Sequence, residues 1–123
     1  MTDQRHELGR KGENLAAAHL KKLGYKIVEQ NHVNAIGELD LVAIDGSVIV
    51  LVEVKTRSKT GRSPGEAVDF RKRLKLTRVA ELYLKTKGWS DKSARFDVME
   101  VISPPGSTPV IRHIKNAFEA VGY

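Results

Sequence analysis

At 123 residues, with 41% apolar and 29% charged side chains, the chain has the length and composition of one globular domain and not of a disordered segment. The absence of cysteine excludes disulfides and thiolate metal sites, and the longest apolar run, residues 48–52, excludes a helical membrane span. A formal charge of +6 favours polyanionic partners, and the polar opening of residues 1–11 has no apolar core for a signal peptide, so a soluble cytoplasmic protein is expected.

In chain order, residues 6–23 read as a helix. Leu8, Gly12, Leu15, Ala16, His19, Leu20 and Leu23 recur at three- and four-residue steps, and Gly24 is a natural stop. Glu13 borders that stripe. It is either a solvated helix residue or a carboxylate leaning over the hairpin of residues 39–54. Gly9-Arg10-Lys11-Gly12 mimics a nucleic-acid-binding GXXG loop but falls inside the helix, so it is set aside. Residues 25–31 read as a short strand and 32–36 as a turn. The four histidines, His6, His19, His32 and His113, lack any paired-ligand spacing and read as surface or packing residues.

Residues 39–44 and 48–54 are two apolar runs around Asp45-Gly46, a strong hairpin signal. The second run is apolar on both faces, which predicts a central strand. Asp40, Glu53 and Lys55 are set into these strands, where charge is seldom buried without a partner. With Asp45-Gly46 as the loop, Ile44 pairs with Ser47, Asp40 lies opposite Leu51, and Glu53 lies opposite Glu38. Asp40, Glu53 and Lys55 then share one face, the two acids as diagonal neighbours roughly 7–8 Å apart. Carboxylates so placed can converge on one hard cation; they can equally pair with the lysine.

Residues 56–65 form a polar loop without phosphate-loop spacing, and 66–87 a second helix closed by Gly88. Val68, Leu76, Val79, Ala80, Tyr83 and Leu84 are its apolar side. Basic residues crowd this stretch: Lys55, Arg57, Lys59, Arg62, Arg71, Lys72, Arg73 and Lys75, against Glu66 and Asp69. Bases that rim an acidic hairpin suit phosphodiester chemistry, in which phosphate must approach carboxylates. Arg57, Lys59, Arg62, Arg71, Lys72, Arg73 and Lys75 are therefore the expected DNA contacts. Residues 95–102 and 110–114 read as strands, with Asp97 structural, and 116–123 as a tail covering an edge. A strand, a helix and a strand in succession predict a parallel crossover.

Gly37-Glu38-Leu39-Asp40-Leu41 followed by Val52-Glu53-Val54-Lys55 resembles the Asp…Glu-x-Lys core of restriction-endonuclease-like nucleases. With Gly12-Glu13, Glu66-Ala67-Val68, Arg95-Phe96-Asp97-Val98 and Asn116-Ala117-Phe118, nearly the whole chain resembles the YraN family of small bacterial proteins, itself similar to Holliday-junction resolvases. The resemblance implies one domain over 1–123 of class α/β, with a mixed sheet in the order α-β-β-β-α-β-β. It implies a metal-dependent DNA nuclease, branched or otherwise structured DNA included. Asp40, Glu53 and the Val54 carbonyl would hold Mg²⁺ or Mn²⁺, Glu13 would complete the shell, and Lys55 would position water or stabilise charge. Glu38 is a marginal fourth acid. Two readings compete with this one: a non-catalytic nucleic-acid-binding module with a vestigial acidic cluster, and a protein that docks an acidic partner through its basic helix. The oligomeric state stays open, a homodimer included.

Overall fold

The computed structural model describes residues 4–58 and 69–120. Lys59, Arg62 and the Glu66-Ala67-Val68 motif lie outside the described residues. The elements run α1 (Gln4–Lys22), β1 (Lys26–Val33), β2 (Glu38–Asp45), β3 (Val48–Arg57), α2 (Phe70–Lys87), β4 (Ala94–Ile102) and β5 (Val110–Phe118). The order is the expected α-β-β-β-α-β-β. The strands form one mixed sheet in sequence order, antiparallel except for the parallel β3–β4 pair that α2 connects.

β3 is central, and its period-two pattern faces two cores. Val50 and Val52 point to α1, where Ala16, Ala17 and Leu20 meet Leu41, Ala43, Met99 and Val101. Ile49 and Leu51 point to α2, where Leu76, Val79, Ala80 and Tyr83 meet Leu39, Val42, Phe96, Val98 and Phe118. Each of the larger buried side chains contributes about 1.5–3 kcal/mol by leaving water. The two helices thus cover opposite faces. None of the described helices is long and apolar enough to cross a membrane.

Several expected boundaries move: β1 runs on to Val33, into the expected turn, and β3 to Arg57, into the expected loop. Three further differences bear on the site and the sheet edge. The hairpin closes on Asp45↔Val48 and Ile44↔Ile49, so its two-residue loop is Gly46-Ser47 and not Asp45-Gly46. Gly46 takes φ +63° while neither Asp45 nor Ser47 has positive φ. A turn that needs left-handed backbone only at its first central position selects the glycine for that place. α2 starts at Phe70, four residues later than expected, because Asp69 is extended and caps the helix: its side chain accepts the Lys72 N–H at 2.9 Å. β5 runs on through Asn116 to Phe118, where a tail covering an edge was expected. A register shift opposite Phe96/Val98 and left-handed Asn116 (φ 50°) turn the strand so that Phe118 stacks on Phe96, ring centroids 4.7 Å apart.

Gly12 explains how α1 reaches the sheet. It is buried, and a Cβ there would overlap the Thr56 side chain, with Cγ2 at 2.8 Å and Cβ at 2.9 Å. Only glycine lets the helix backbone lie against the end of β3, and that contact delivers the next residue, Glu13, to the same end. Gly12→Ala is expected to lower stability by about 1–3 kcal/mol, despite alanine's better helix propensity, because the overlap is with a β-branched side chain on a strand. Chemical denaturation decides it; a stabilised variant would show that the helix lifts off freely.

Candidate functional site

The corrected register brings the acids closer than the sequence suggested. Continuing the ladder one residue past Leu41↔Val52 sets Asp40 directly across from Glu53, and Glu38 across from Lys55. At that point the two strands part. In place of a ladder bond, the Asp40 carboxylate (Oδ2) accepts the Val54 N–H at 2.8 Å. A backbone amide spent on a side chain marks the spot where the sheet gives way to a site.

These residues open into a cleft of about 400 Å³ lined by Val33, Gly37, Glu38, Asp40, Glu53, Lys72, Lys75, Leu76 and Val79. One wall is the sheet end and the other is the first half of α2. The β1–β2 turn is pinned to that helix: Asn34 Oδ1 accepts the N–H groups of Ile36 and Gly37 at 2.9 and 3.2 Å, and Asn34 Nδ2 donates to the Val79 carbonyl at 3.2 Å. Gly37 sits against α2 so closely that a Cβ would meet Val79 Cγ2 at 3.0 Å and Lys75 Cε at 3.1 Å.

Electrostatically the cleft is frustrated. Desolvation, then the charge of Glu53, push the Asp40 carboxyl up to about 8; Glu13 adds to this, and the Val54 hydrogen bond only partly opposes it. Glu13 is raised as well, first by burial and then by Glu38 and Glu53, against the help of a hydrogen bond from Asn31. Asn31 occupies left-handed backbone (φ 54°), a conformation asparagine tolerates. Glu13 Oε1 is nevertheless buried without a hydrogen-bond partner. A positively charged group placed here would relieve both carboxyls at once.

One is already present. Lys72 Nζ makes an ion pair with Glu53 Oε2, so a residue expected at the DNA backbone is found on an acid of the site. Burial works against its ammonium, but Glu53, then Asp40 and Asp69, outweigh that and hold it above the ordinary lysine range. Lys75 lines the same cleft one turn on. Lys55 is half-buried and is not among the described cleft-lining residues. Arg71 is exposed, whereas Arg57 and Arg73 are partly buried, Arg73 with an unpartnered Nε. The sequence signal for Lys72 and Lys75 was their helical spacing with Leu76 and Val79, three and four residues apart on the face that meets the sheet. Asn31 gave no signal beyond being a residue that accepts positive φ.

The oxygen-only donors Asp40, Glu53, Glu13 and the Val54 carbonyl could hold a hard divalent cation. Among the described residues no three acidic or imidazole side chains form a metal-binding group as they stand. The orphaned Glu13 oxygen and the mutual repulsion of the acids fit such an ion, and with it the carboxylates would draw together.

The raised carboxyls predict a pH signature without metal. A group whose folded pKa lies above its unfolded value binds more protons in the folded state, so its stabilising effect is full below about pH 4 and is lost as pH rises towards about 8. In EDTA, wild type should lose stability across that window, and Asp40→Asn should lose less and melt higher near neutrality. Melts at several pH values check this; parallel curves for the two proteins would mean that Asp40 is not strained.

The model of an uncharacterised protein family, UPF0102, matches residues 12–101. A UPF0102 protein of Pelotomaculum thermopropionicum is 43% identical over 122 residues, 96% of this chain and 100% of the relative. One from Caldanaerobacter subterraneus is 42% identical over 114 residues, 90% of this chain and 93% of its own. One from Moorella thermoacetica is 48% identical over 102 residues, 82% and 85% of the two chains.

Proposed function

The chain belongs to the UPF0102 family, and from the cleft we propose its chemistry: a metal-dependent nuclease that hydrolyses phosphodiester bonds in DNA, branched or otherwise structured DNA included. The observation that carries the proposal is the facing pair Asp40 and Glu53 at the point where β2 and β3 part, with Glu13 brought to the same place by Gly12.

Asp40, Glu53 and the Val54 carbonyl would hold Mg²⁺ or Mn²⁺, and Glu13 would join them directly or through water. Such an ion, when bound, supplies positive charge beside the scissile phosphate and makes a water acidic enough to attack at neutral pH. The chain's own residues do the rest. Lys75, which lines the cleft, and Arg71 and Arg73 on α2, with Arg57 at the end of β3, would hold the phosphate backbone. Lys55, two residues beyond Glu53, would position the attacking water or stabilise the developing charge, as the resemblance to Glu-x-Lys nucleases implies. The apolar floor of Leu76 and Val79 lowers the local dielectric, which strengthens each of these interactions.

A nucleic-acid-binding module with vestigial acids is the second reading. It is favoured by the absence of a ready three-ligand group among the described residues and by the ion pair that already neutralises Glu53. Incubation with linear, single-stranded, flapped and four-way-junction DNA, in Mg²⁺, Mn²⁺ or EDTA, separates the two. At least one form should be cut with metal and none in EDTA. Salt-sensitive binding of every form with cutting of none would favour the second reading.

A further inference from the structure

We infer that Lys72 is the resident counter-ion of the acidic cleft: its ammonium holds Glu53 when no divalent ion is there, is displaced when one binds, and is thereby released towards the substrate phosphate. The inference rests on the metal reading of the cleft proposed above.

The geometry carries it through an asymmetry. The Glu53 side chain is only 10% exposed, whereas that of Lys72 is 52% exposed. The carboxylate is fixed in the strand, while the lysine approaches from outside on a flexible four-carbon stem. Its backbone is anchored in the first turn of α2 by the Asp69 cap, so the side chain swings about a fixed base. Swinging out returns the ammonium to water at small cost, but it leaves Glu53 and Asp40 facing each other with no cation between them. That exchange proceeds only if another cation replaces it. A lysine there also keeps the acids from collapsing apart before an ion arrives. Lys75, one turn farther along the same wall, makes no ion pair with Glu53 among the described contacts and serves as the internal comparison.

The test needs no DNA and no turnover. Mn²⁺ binding is followed by the electron paramagnetic resonance signal of the free ion, for wild type, Lys72→Met and Lys75→Met, with Lys72→Gln in reserve should the methionine variant not fold. Removing a competing cation in contact with the site should tighten Mn²⁺ by at least about tenfold in Lys72→Met. Lys75→Met, lacking that contact, should tighten it by less than about threefold. In parallel, the ammonium nitrogen signal of Lys72, identified by its loss in the variant, should shift when Mg²⁺ is added to wild type. Mn²⁺ affinity equal in wild type and Lys72→Met, equal tightening in both variants, or an ammonium signal unmoved by bound Mg²⁺ would each overturn the inference while leaving the metal site standing. No Mn²⁺ binding by any of the proteins would remove the metal site itself, and the inference with it.

Discussion

Asp40→Asn and Glu53→Gln are each expected to lower DNA cleavage by at least about a thousandfold and to leave DNA affinity within a few-fold of wild type. The two effects separate because the acids and the bases do different work. Across the parted strands, Asp40 and Glu53 are the two carboxylates that can grip a cation together, and neither has a substitute: Glu13 arrives from another element and Glu38 is exposed. On the proposed reading, phosphate affinity would reside in the bases of α2 and the end of β3, which these substitutions do not touch. Removing a negative charge from the cleft would if anything strengthen binding of a polyanion. Asparagine keeps the shape of Asp40 and an oxygen for the Val54 N–H, so the fold is preserved. Single-turnover cleavage and binding measured side by side decide it. Undiminished cutting by either variant would move the active site elsewhere.

Asp97→Ala is expected to cost about 3–5 kcal/mol, a fall in melting temperature on the order of 10–20 °C. Asp97 is fully buried, and its carboxylate is saturated. It accepts from Arg95 Nε at 2.9 Å and Nη2 at 3.3 Å, from His113 Nε2 at 2.7 Å, and from the Asn116 N–H at 2.9 Å. Arg95 reaches onward to Asp45 at 3.2 Å and to the Tyr25 hydroxyl at 2.8 Å. The network therefore ties β4 to β5, to the tip of the β2–β3 hairpin and to the start of β1. Alanine would leave an arginine, a histidine and a backbone amide facing an empty acceptor position. Asp97→Asn should lie between the two, since it keeps one oxygen but not the charge. Urea denaturation measures all three proteins, and a loss below about 1 kcal/mol in Asp97→Ala would mean that water replaces the carboxylate without cost.

How much of this is legible in the sequence differs by level. The five strands, two helices and their order follow from period and punctuation: Gly24 and Gly88 end helices with φ +93° and +75°, and the two-sided apolar run of β3 is indeed central. The hairpin register is not legible. Asp45-Gly46 and Gly46-Ser47 are both acceptable two-residue loops, and only the backbone angle at Gly46 chooses between them. The error preserves the face shared by Asp40 and Glu53, because both registers keep the same parity, but it hides that they stand directly opposite. Asp97 reads as structural, and its four hydrogen bonds bear that out. The ion pair of Lys72 with Glu53 is illegible for a different reason. A helical wheel shows which face meets the sheet, but not that α2 crosses the sheet end with its first turn over Glu53. Phe118 likewise gives no sign that β5 continues past left-handed Asn116, through a register shift, to pair with Phe96.

The central claim is that the facing carboxylates form a cation site, and thermal melts of wild type and Asp40→Asn, each in EDTA and in Mg²⁺, test it without knowledge of the substrate. An ion that binds only the folded state stabilises it by RT ln(1 + [L]/Kd), about 1.4 kcal/mol for a Kd near 1 mM and 10 mM ion, or several degrees in a domain of this size. Wild type should gain that shift. Asp40→Asn should start at or above the wild-type melting temperature in EDTA, relieved of like-charge repulsion, and should gain little from Mg²⁺. If Asp40→Asn is instead clearly destabilised in EDTA and Mg²⁺ moves both proteins equally, the carboxylates are structural partners for the neighbouring bases, and the cleft is not a metal site.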